Sequence, residues 1–233
     1  MKHNKTRRKR ENKRNKNGKP KKERFFVFKG GKYVEVSMKD RKFDRNHLTR
    51  ESHNCYTYYL DKMSGEAYHL CKSDLPKYNM CRRPQPGYAS GYPRLEDKDY
   101  TCKEIMKRTI SDNPQIRKIN NPGEKCSSDE YMGAVVVAPK YDYHYYRYND
   151  EGQWTHKPGY KPTTNLDAAN NIITDPKSAD RNYNKKLNYT QFCGYTCVPR
   201  NPSVKNMSHV PNVNALNMNT HKTRKRTTRK NRN

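Results

Sequence analysis

The chain contains few apolar residues. Only 31% of its 233 residues are hydrophobic, and its aromatic side chains are mostly tyrosine: 19, against five Phe and one Trp. No run of 18 apolar residues occurs, so we expect no transmembrane helix. The N-terminus lacks the apolar segment of a secretory signal, so we expect none. A core in this chain must rely on tyrosine rings and on covalent cross-links.

Acidic residues are also scarce. The 23 Asp and Glu face 50 Lys and Arg, for a net charge of +27. Residues 1–24 hold 13 basic and two acidic residues, a net +11, and residues 221–233 hold seven basic residues and no acid. Neither end has an apolar period that could offset the entropy lost on ordering. We predict disordered basic arms at 1–24 and 201–233.

The arms are expected to bind nucleic acid or another polyanion without sequence specificity, since no recognition helix or zinc finger is visible. The alternative to polyanion binding is that the arms are solvated and disordered, or that they carry a targeting signal. The residues predicted to contact phosphates are Arg7, Arg8, Lys9, Arg10, Lys13, Arg14, Lys222, Arg224, Lys225 and Arg226.

Residues 25–200 suit a single α+β domain. The pattern predicts a hairpin at 25–37, a polar linker at 38–53, a helix from Cys55 to Met63, and a cysteine-rich, largely loop-like insertion at about 71–126. A capping box at Thr101 predicts a second helix over 102–112. Helices followed by strands favour an antiparallel sheet. The strands are expected at 132–138, 141–148, 153–157, 171–174 and 190–198.

The seven cysteines divide into one and six. With Cys55 as a free thiol, the remaining six can form three disulfides in any of 15 pairings. Reduced core cysteines are the alternative. Cys193 and Cys197, with help from Cys71, Cys81 or His69, could instead form a zinc site. We expect bridges or free thiols rather than a metal, and nothing in the sequence calls for a cofactor.

The segment 141–159 predicts a hairpin that carries two histidines. A type I turn over 149–152, closed by a left-handed Gly152, would pair Asn149 with Gln153. Tyr146 then lies opposite His156, and His144 shares a face with both. A two- or four-residue loop would put the two histidines on opposite faces instead. The tyrosines of this segment are expected to pack in the sheet.

Cys55 follows Asn54, a good helix N-cap. A thiol at a helix start is favoured as thiolate by the helix dipole and the free backbone N–H groups. A histidine facing it would complete a nucleophile and base. We therefore predict Cys55 as nucleophile, His144 as base and His156 as the residue that orients the base, with Asp142 as the rival orienter. The non-catalytic alternative is that Cys55 is a buried core cysteine and that both histidines are hydrogen-bonded structural residues.

Several segments between residues 54 and 199 together resemble a little-characterised protein family of giant DNA viruses of the mimivirus type and of some bacteria. They are residues 54–60, 85–91, 142–147, 154–159, 165–167, 173–176 and 192–195. The order of one Cys and two His also resembles the NlpC/P60 branch of papain-fold cysteine hydrolases. That resemblance implies a papain-like fold, with the helix Cys and two strand residues as a triad, on Cys55, His144 and His156.

Two functions follow. The first is a thiol-dependent hydrolase, a candidate cysteine peptidase or amidase acting on a peptide-like substrate, in a virion or the host cytoplasm. The second is a non-catalytic basic virion or genome-associated protein whose arms contact phosphates. The first requires the sulfur of Cys55 and the ring of His144 to be neighbours in space.

Overall fold

The computed structural model describes residues 25–29, 32–36, 41–120 and 124–211, with the backbone alone for 25–29, 32–36 and 41. The described residues belong to two units, which divide after Arg41. In the first, β1 (Phe25–Lys29) pairs antiparallel with β2 (Lys32–Val36), which confirms the predicted hairpin.

The second unit is built on a five-stranded antiparallel sheet. Its order is β3-β7-β4-β5-β6. The strands are β3 (Arg117–Lys118), β4 (Glu130–Ala138), β5 (Asp142–Tyr148), β6 (Trp154–His156) and β7 (Gln191–Pro199). Helices precede a run of strands, so the predicted α+β class with an antiparallel sheet is confirmed. The two-residue β3 carried no sequence signal.

Five α-helices precede the five-stranded sheet in the described chain. They are α1 (Arg41–Asp44), α2 (His47–Ser52), α3 (Cys55–Tyr59), α4 (Gly65–Tyr78) and α5 (Cys102–Asp112). The bounds of α5 match the predicted helix, and Thr101 caps it by accepting a hydrogen bond from the Glu104 N–H.

Alternate residues of β4 face opposite ways and define two layers. One face, here called the helix face, joins side chains of β4 and β5 to those of α3 and α5: Tyr131, Val135, Val137, Tyr143, Tyr145, Tyr56, Tyr59, Leu60, Ile105 and Met106. The Tyr59 ring lies so close to Gly133 that a Cβ there would collide with it, which explains a glycine inside a central strand.

The other face, here called the loop face, is covered by the irregular segment 164–189 instead of helices. Its buried residues are Ala134, Val136, Ala138, Tyr146, Trp154, Ile173 and Tyr189. Asp167 holds part of this segment together by accepting hydrogen bonds from the backbone N–H groups of Asn171 and Asp180. The expected strand at 171–174 was wrong: Ile172 forms only an isolated bridge with Leu166.

Three other local predictions were wrong. The linker 38–53 contains α1 and α2, whose short lengths give little periodicity. The loop-like start of the insertion is the second half of α4, which accommodates Pro76 near its end. The helix at Cys55 stops at Tyr59 rather than Met63, because Asp61 adopts a left-handed backbone (φ 48°).

Six cysteines form three disulfides and Cys55 stays free, so the bridges hold and the alternative of reduced core cysteines was wrong for these six. The pairs are Cys71–Cys81, Cys102–Cys193 and Cys126–Cys197. The second bridge ties the start of α5 to β7 and packs on the helix-face cluster. In the described part of the chain no helix has the length and hydropathy needed to cross a membrane.

Candidate active site: a buried thiol beside a histidine pair

The hairpin β5–β6 has the register that places its histidines together. Tyr146 pairs with His156, and the Asn149 N–H donates to the Gln153 carbonyl at 2.9 Å. Gly152 closes the turn with φ 75°, a backbone conformation that residues other than glycine rarely adopt. The predicted three-residue loop is therefore confirmed, and His144 and His156 share the loop face.

The two histidines are hydrogen-bonded to each other. Nε2 of His144 lies 2.7 Å from Nδ1 of His156, and Nε2 of His156 lies 2.8 Å from the carbonyl oxygen of Leu166. Both rings are almost fully buried. Burial lowers the pKa of His156 to about 4, and burial with the neighbouring ring lowers the pKa of His144 well below its usual value. Both are therefore neutral at pH 7.

The hydrogen bonds fix the tautomers. A carbonyl oxygen can only accept, so Nε2 of His156 carries the hydrogen and donates it to Leu166. Nδ1 of the neutral His156 ring is then an acceptor, and Nε2 of His144 must be the donor. This leaves the lone pair of His144 on Nδ1. Among the described residues that nitrogen has no hydrogen-bond partner, so it is free to act as a base.

Cys55 is held by the cap of α3. The Asn54 side chain accepts from the Thr57 N–H, Thr57 Oγ1 accepts from the Asn54 N–H, and the Asn54 amide donates to the Pro84 carbonyl at 2.8 Å. Cys55 Sγ then lies 4.0 Å from the carbonyl oxygen of Tyr143, the residue directly before His144. By backbone geometry the sulfur is within about 7 Å of the His144 Cα.

The sulfur thus lies against the β5 backbone, and its hydrogen bond goes to a carbonyl rather than to the imidazole. Cys55 packs with the helix-face residues Tyr143 and Tyr145, whereas the ring of His144 contacts Tyr146 and Tyr189 on the loop face. Cys55 is only 6% exposed. Burial, with the negative charge of Asp142 second, raises the pKa of the thiol well above its usual value. The expected thiolate was wrong, because desolvation outweighs the backbone dipoles of a five-residue helix. The site rests as a thiol and a neutral imidazole.

Asp142, the rival orienter, contacts a different partner. Its carboxylate accepts from the Tyr189 hydroxyl at 2.8 Å and from the Tyr143 N–H at 2.8 Å. The Tyr189 ring in turn packs 5.4 Å, between centroids, from the ring of His144. Asp142 therefore reaches His144 through Tyr189, and His156 is the residue hydrogen-bonded to the His144 ring.

Two groups that contribute to the site were not predicted from the sequence. The Leu166 carbonyl that sets the tautomers is a backbone group in a turn and leaves no sequence signal. Lys157, next to His156, is 0% exposed and donates to three backbone carbonyls. The available signal was a lysine directly after a strand histidine and before Pro-Gly. Because buried lysines are rare, this pattern predicted an exposed side chain.

A search of curated proteins finds a relative in a mollusc. The chain is 32% identical over 111 residues to insoluble matrix shell protein 1 of Ruditapes philippinarum. The alignment covers 48% of this chain and 66% of the relative, just under two thirds. No protein-family model matches the chain. No solved structure matches it either.

The zinc alternative is not supported by the cysteines. Cys193 and Cys197 bond to different partners, Cys102 and Cys126, so they do not form half of one metal site. In the described residues one group has metal-ligand spacing, Cys126, Glu130 and Cys197. Its two sulfurs are joined in a disulfide and cannot serve as thiolate ligands.

The ten basic residues predicted to contact a polyanion lie outside the described residues. They are the residues assigned to the arms, from Arg7 to Arg14 and from Lys222 to Arg226.

Proposed function

We propose that the protein is a thiol-dependent acyl hydrolase with Cys55 as nucleophile, His144 as base and His156 as orienting residue. One observation carries the proposal. The relay from the Leu166 carbonyl through His156 leaves the lone pair of His144 on Nδ1, and His144 directly follows the residue whose carbonyl oxygen lies 4.0 Å from Sγ of the free Cys55. A general base requires a defined tautomer, and these hydrogen bonds supply one.

The chemistry follows from the resting state. As Sγ attacks an acyl carbonyl carbon, Nδ1 of His144 takes the thiol proton and later delivers it to the leaving amine or alcohol. Water then attacks the thioester carbon while the same nitrogen takes its proton, and the C–S bond breaks to release the carboxylic acid as that proton returns to Sγ. Because Nε2 of His144 donates to a neutral acceptor on His156, the transient imidazolium is stabilised without a carboxylate. The substrate class proposed is a peptide-like amide or a related acyl bond.

The fold proposed with this activity is papain-like, of the NlpC/P60 type. Its support is a cysteine on the first turn of a helix packed on an antiparallel sheet, with histidines on two neighbouring strands. The resemblance to a giant-virus family, and with it a virion or host-cytoplasm location, stays a proposal on sequence segments alone.

The test is turnover of a panel of acyl p-nitrophenyl esters and short peptide amides by the full chain. Cys55→Ser should abolish turnover, and His144→Gln should lower kcat by about 10²- to 10⁴-fold, the usual contribution of a general base. His53 is the matched control: it is fully buried and its pKa is also lowered by burial to about 4, but it bonds Ser52, Thr49 and Ser64.

His53→Gln should cost stability without a comparable loss of kcat in the molecules that remain folded. Equal losses in the two histidine variants, or turnover that survives Cys55→Ser, would reject the hydrolase.

The second candidate is a non-catalytic structural protein of a matrix or particle with polyanion-binding arms. Two observations favour it: the relative is a shell matrix protein, and Cys55 is 94% covered. Three disulfides are typical of an oxidising environment, whether extracellular or inside a particle with its own oxidation system.

Binding of the full chain to duplex DNA tests this role. Log affinity should fall with log salt at a slope near −9 if about ten phosphates are neutralised. Deleting 1–24 and 221–233 should remove that dependence. Retention of the slope would place the binding surface in the folded domain.

A further inference from the structure

Lys157 has an environment unusual for a lysine. Its side chain is 0% exposed, and Nζ lies 2.9 Å from the Arg50 carbonyl oxygen, 2.6 Å from that of Gly159 and 3.2 Å from that of Lys161. An ammonium group has three N–H donors and no acceptor. Three carbonyl oxygens therefore satisfy it completely, which is the condition for burying a charge.

The carbonyls of this cage come from the two parts of the chain that carry the proposed site. Arg50 belongs to α2, which leads within four residues to the Asn54 cap and Cys55. Gly159 and Lys161 belong to the turn that follows His156, closed by the Lys161 N–H donating to the Pro158 carbonyl at 2.8 Å. The ammonium thus joins the thiol side of the site to the histidine side.

The same group contributes to the electrostatics at the sulfur. Burial and then the carboxylate of Asp142 raise the pKa of the Cys55 thiol, and the ammonium of Lys157 acts in the opposite direction and lowers it. From the other packed elements, Asp44, Glu51 and Arg83 also act on Lys157. Asp44 is bound by the N–H of Thr163 at 3.0 Å, and Glu51 pairs with Arg83 at 2.9 Å. Lys157 is the cation that lowers the pKa of Cys55.

We propose that Lys157 is a positioning residue for Cys55, which fixes the thiol helix against the histidine hairpin through its carbonyl cage and supplies the positive charge that favours thiolate formation. This inference rests on the proposed function, since it assigns Lys157 to the same site.

The protonation behaviour of Lys157 supports this role. Burial lowers its pKa to about 7. A neutral amine has two N–H groups, so one of the three carbonyls loses its donor above that pH. The wild-type thiol should then gain reactivity with rising pH by less than tenfold per unit above pH 7, because the stabilising charge disappears as thiolate forms.

The experiment measures the rate at which iodoacetamide alkylates Cys55 in the full, disulfide-intact chain between pH 6 and pH 9, followed by intact mass. Lys157→Met keeps the length of the side chain but removes the charge and the donors. It should slow alkylation about tenfold at pH 6, which corresponds to one pKa unit at the thiol, and about fivefold at pH 7, where half of the Lys157 side chains are already neutral. Asp142→Asn keeps the shape and should accelerate it, since the opposing charge is removed.

Lys205→Met is the matched control. Lys205 is also 0% exposed and its pKa is lowered by burial to about 8, but its ammonium donates to the Tyr131 hydroxyl at 3.3 Å. A purely structural lysine would give the same change in both Met variants and would not give opposite signs at 157 and 142. An unchanged or faster rate in Lys157→Met, or an equal slowing in Lys205→Met, overturns the proposal.

A second measurement covers the case in which Lys157→Met does not fold. In wild-type protein with ¹³C-labelled lysine, the pH at which a buried lysine Cε resonance titrates near 7 should coincide with the bend in the alkylation profile. Separate midpoints overturn the proposal. Turnover in the wild type with unchanged alkylation in Lys157→Met rejects only the role of Lys157. Slowed alkylation without any turnover rejects the hydrolase and keeps Lys157 as the determinant of thiol reactivity.

Discussion

The two faces of the sheet use polar side chains differently. On the helix face, buried tyrosine hydroxyls bond to side chains of neighbouring elements: Tyr59 to Thr196 at 2.8 Å, Tyr145 to Thr109 at 2.6 Å and Tyr56 to Asp112 at 2.9 Å. On the loop face, two neutral imidazoles bond to each other and to a backbone carbonyl of the covering segment.

The two faces therefore differ in how their hydrogen bonds respond to pH. A tyrosine hydroxyl does not titrate near neutral pH, so the helix face keeps the same hydrogen bonds across the physiological range. The histidines would gain a proton in water below pH 6.5, and the loop face prevents this by excluding water. The helix face is therefore expected to set the resistance to unfolding, and the loop face its dependence on acid.

The largest effect should come from the bridge that ties α5 to β7 on the helix face. The double variant Cys102→Ser, Cys193→Ser removes a cross-link over 91 residues. Loop-closure entropy predicts a loss of about 4–5 kcal/mol in the free energy of unfolding, against about 3 kcal/mol for Cys71 and Cys81, which are 10 residues apart. Urea unfolding measures both. A larger loss for the short bridge would contradict the helix face as the main source of stability.

Acid should act on the loop face with an intermediate effect. Folding lowers the pKa of His156 from about 6.5 to about 4, so below pH 6.5 the unfolded state binds a proton that the folded state does not. Stability therefore falls as pH decreases, by about 2 kcal/mol for His156 between pH 7 and pH 5, and is unaffected by this group above pH 7. Urea midpoints at the two pH values measure the loss.

His156→Gln is the control for that titration: its stability should vary less between pH 7 and pH 5. A variant with the full wild-type pH dependence would show that His156 is not the group responsible.

The sequence predicted the parts of this comparison that depend on local patterns. Alternation and the Gly152 turn gave the register of β5 and β6, and the cap at Thr101 gave α5. The free Cys55 followed from an odd cysteine count. The pairing of the other six did not, because bridges such as Cys102–Cys193 join residues brought together only by the sheet order.

The electrostatic character of the site was not predictable from the sequence. The Asn54 cap suggested an activated thiolate, but the pKa of Cys55 depends on burial, which comes from residues far away in the chain such as Tyr143 and Tyr145. The histidine tautomers likewise depend on the carbonyl of Leu166, a group that every residue type supplies. Long-range desolvation decided both.

The smallest effect tests a single hydrogen bond of the helix face. Tyr59 and Thr196 are both 0% exposed. Tyr59→Phe leaves the Thr196 hydroxyl buried without this partner and should cost about 1–2 kcal/mol. Thr196→Val should cost a similar amount for the reciprocal reason. The double variant leaves neither group unpaired, so its loss should fall short of the sum of the two by about 1 kcal/mol. Additive losses in urea unfolding would mean that the hydroxyls are solvated separately and that ring packing alone stabilises this face.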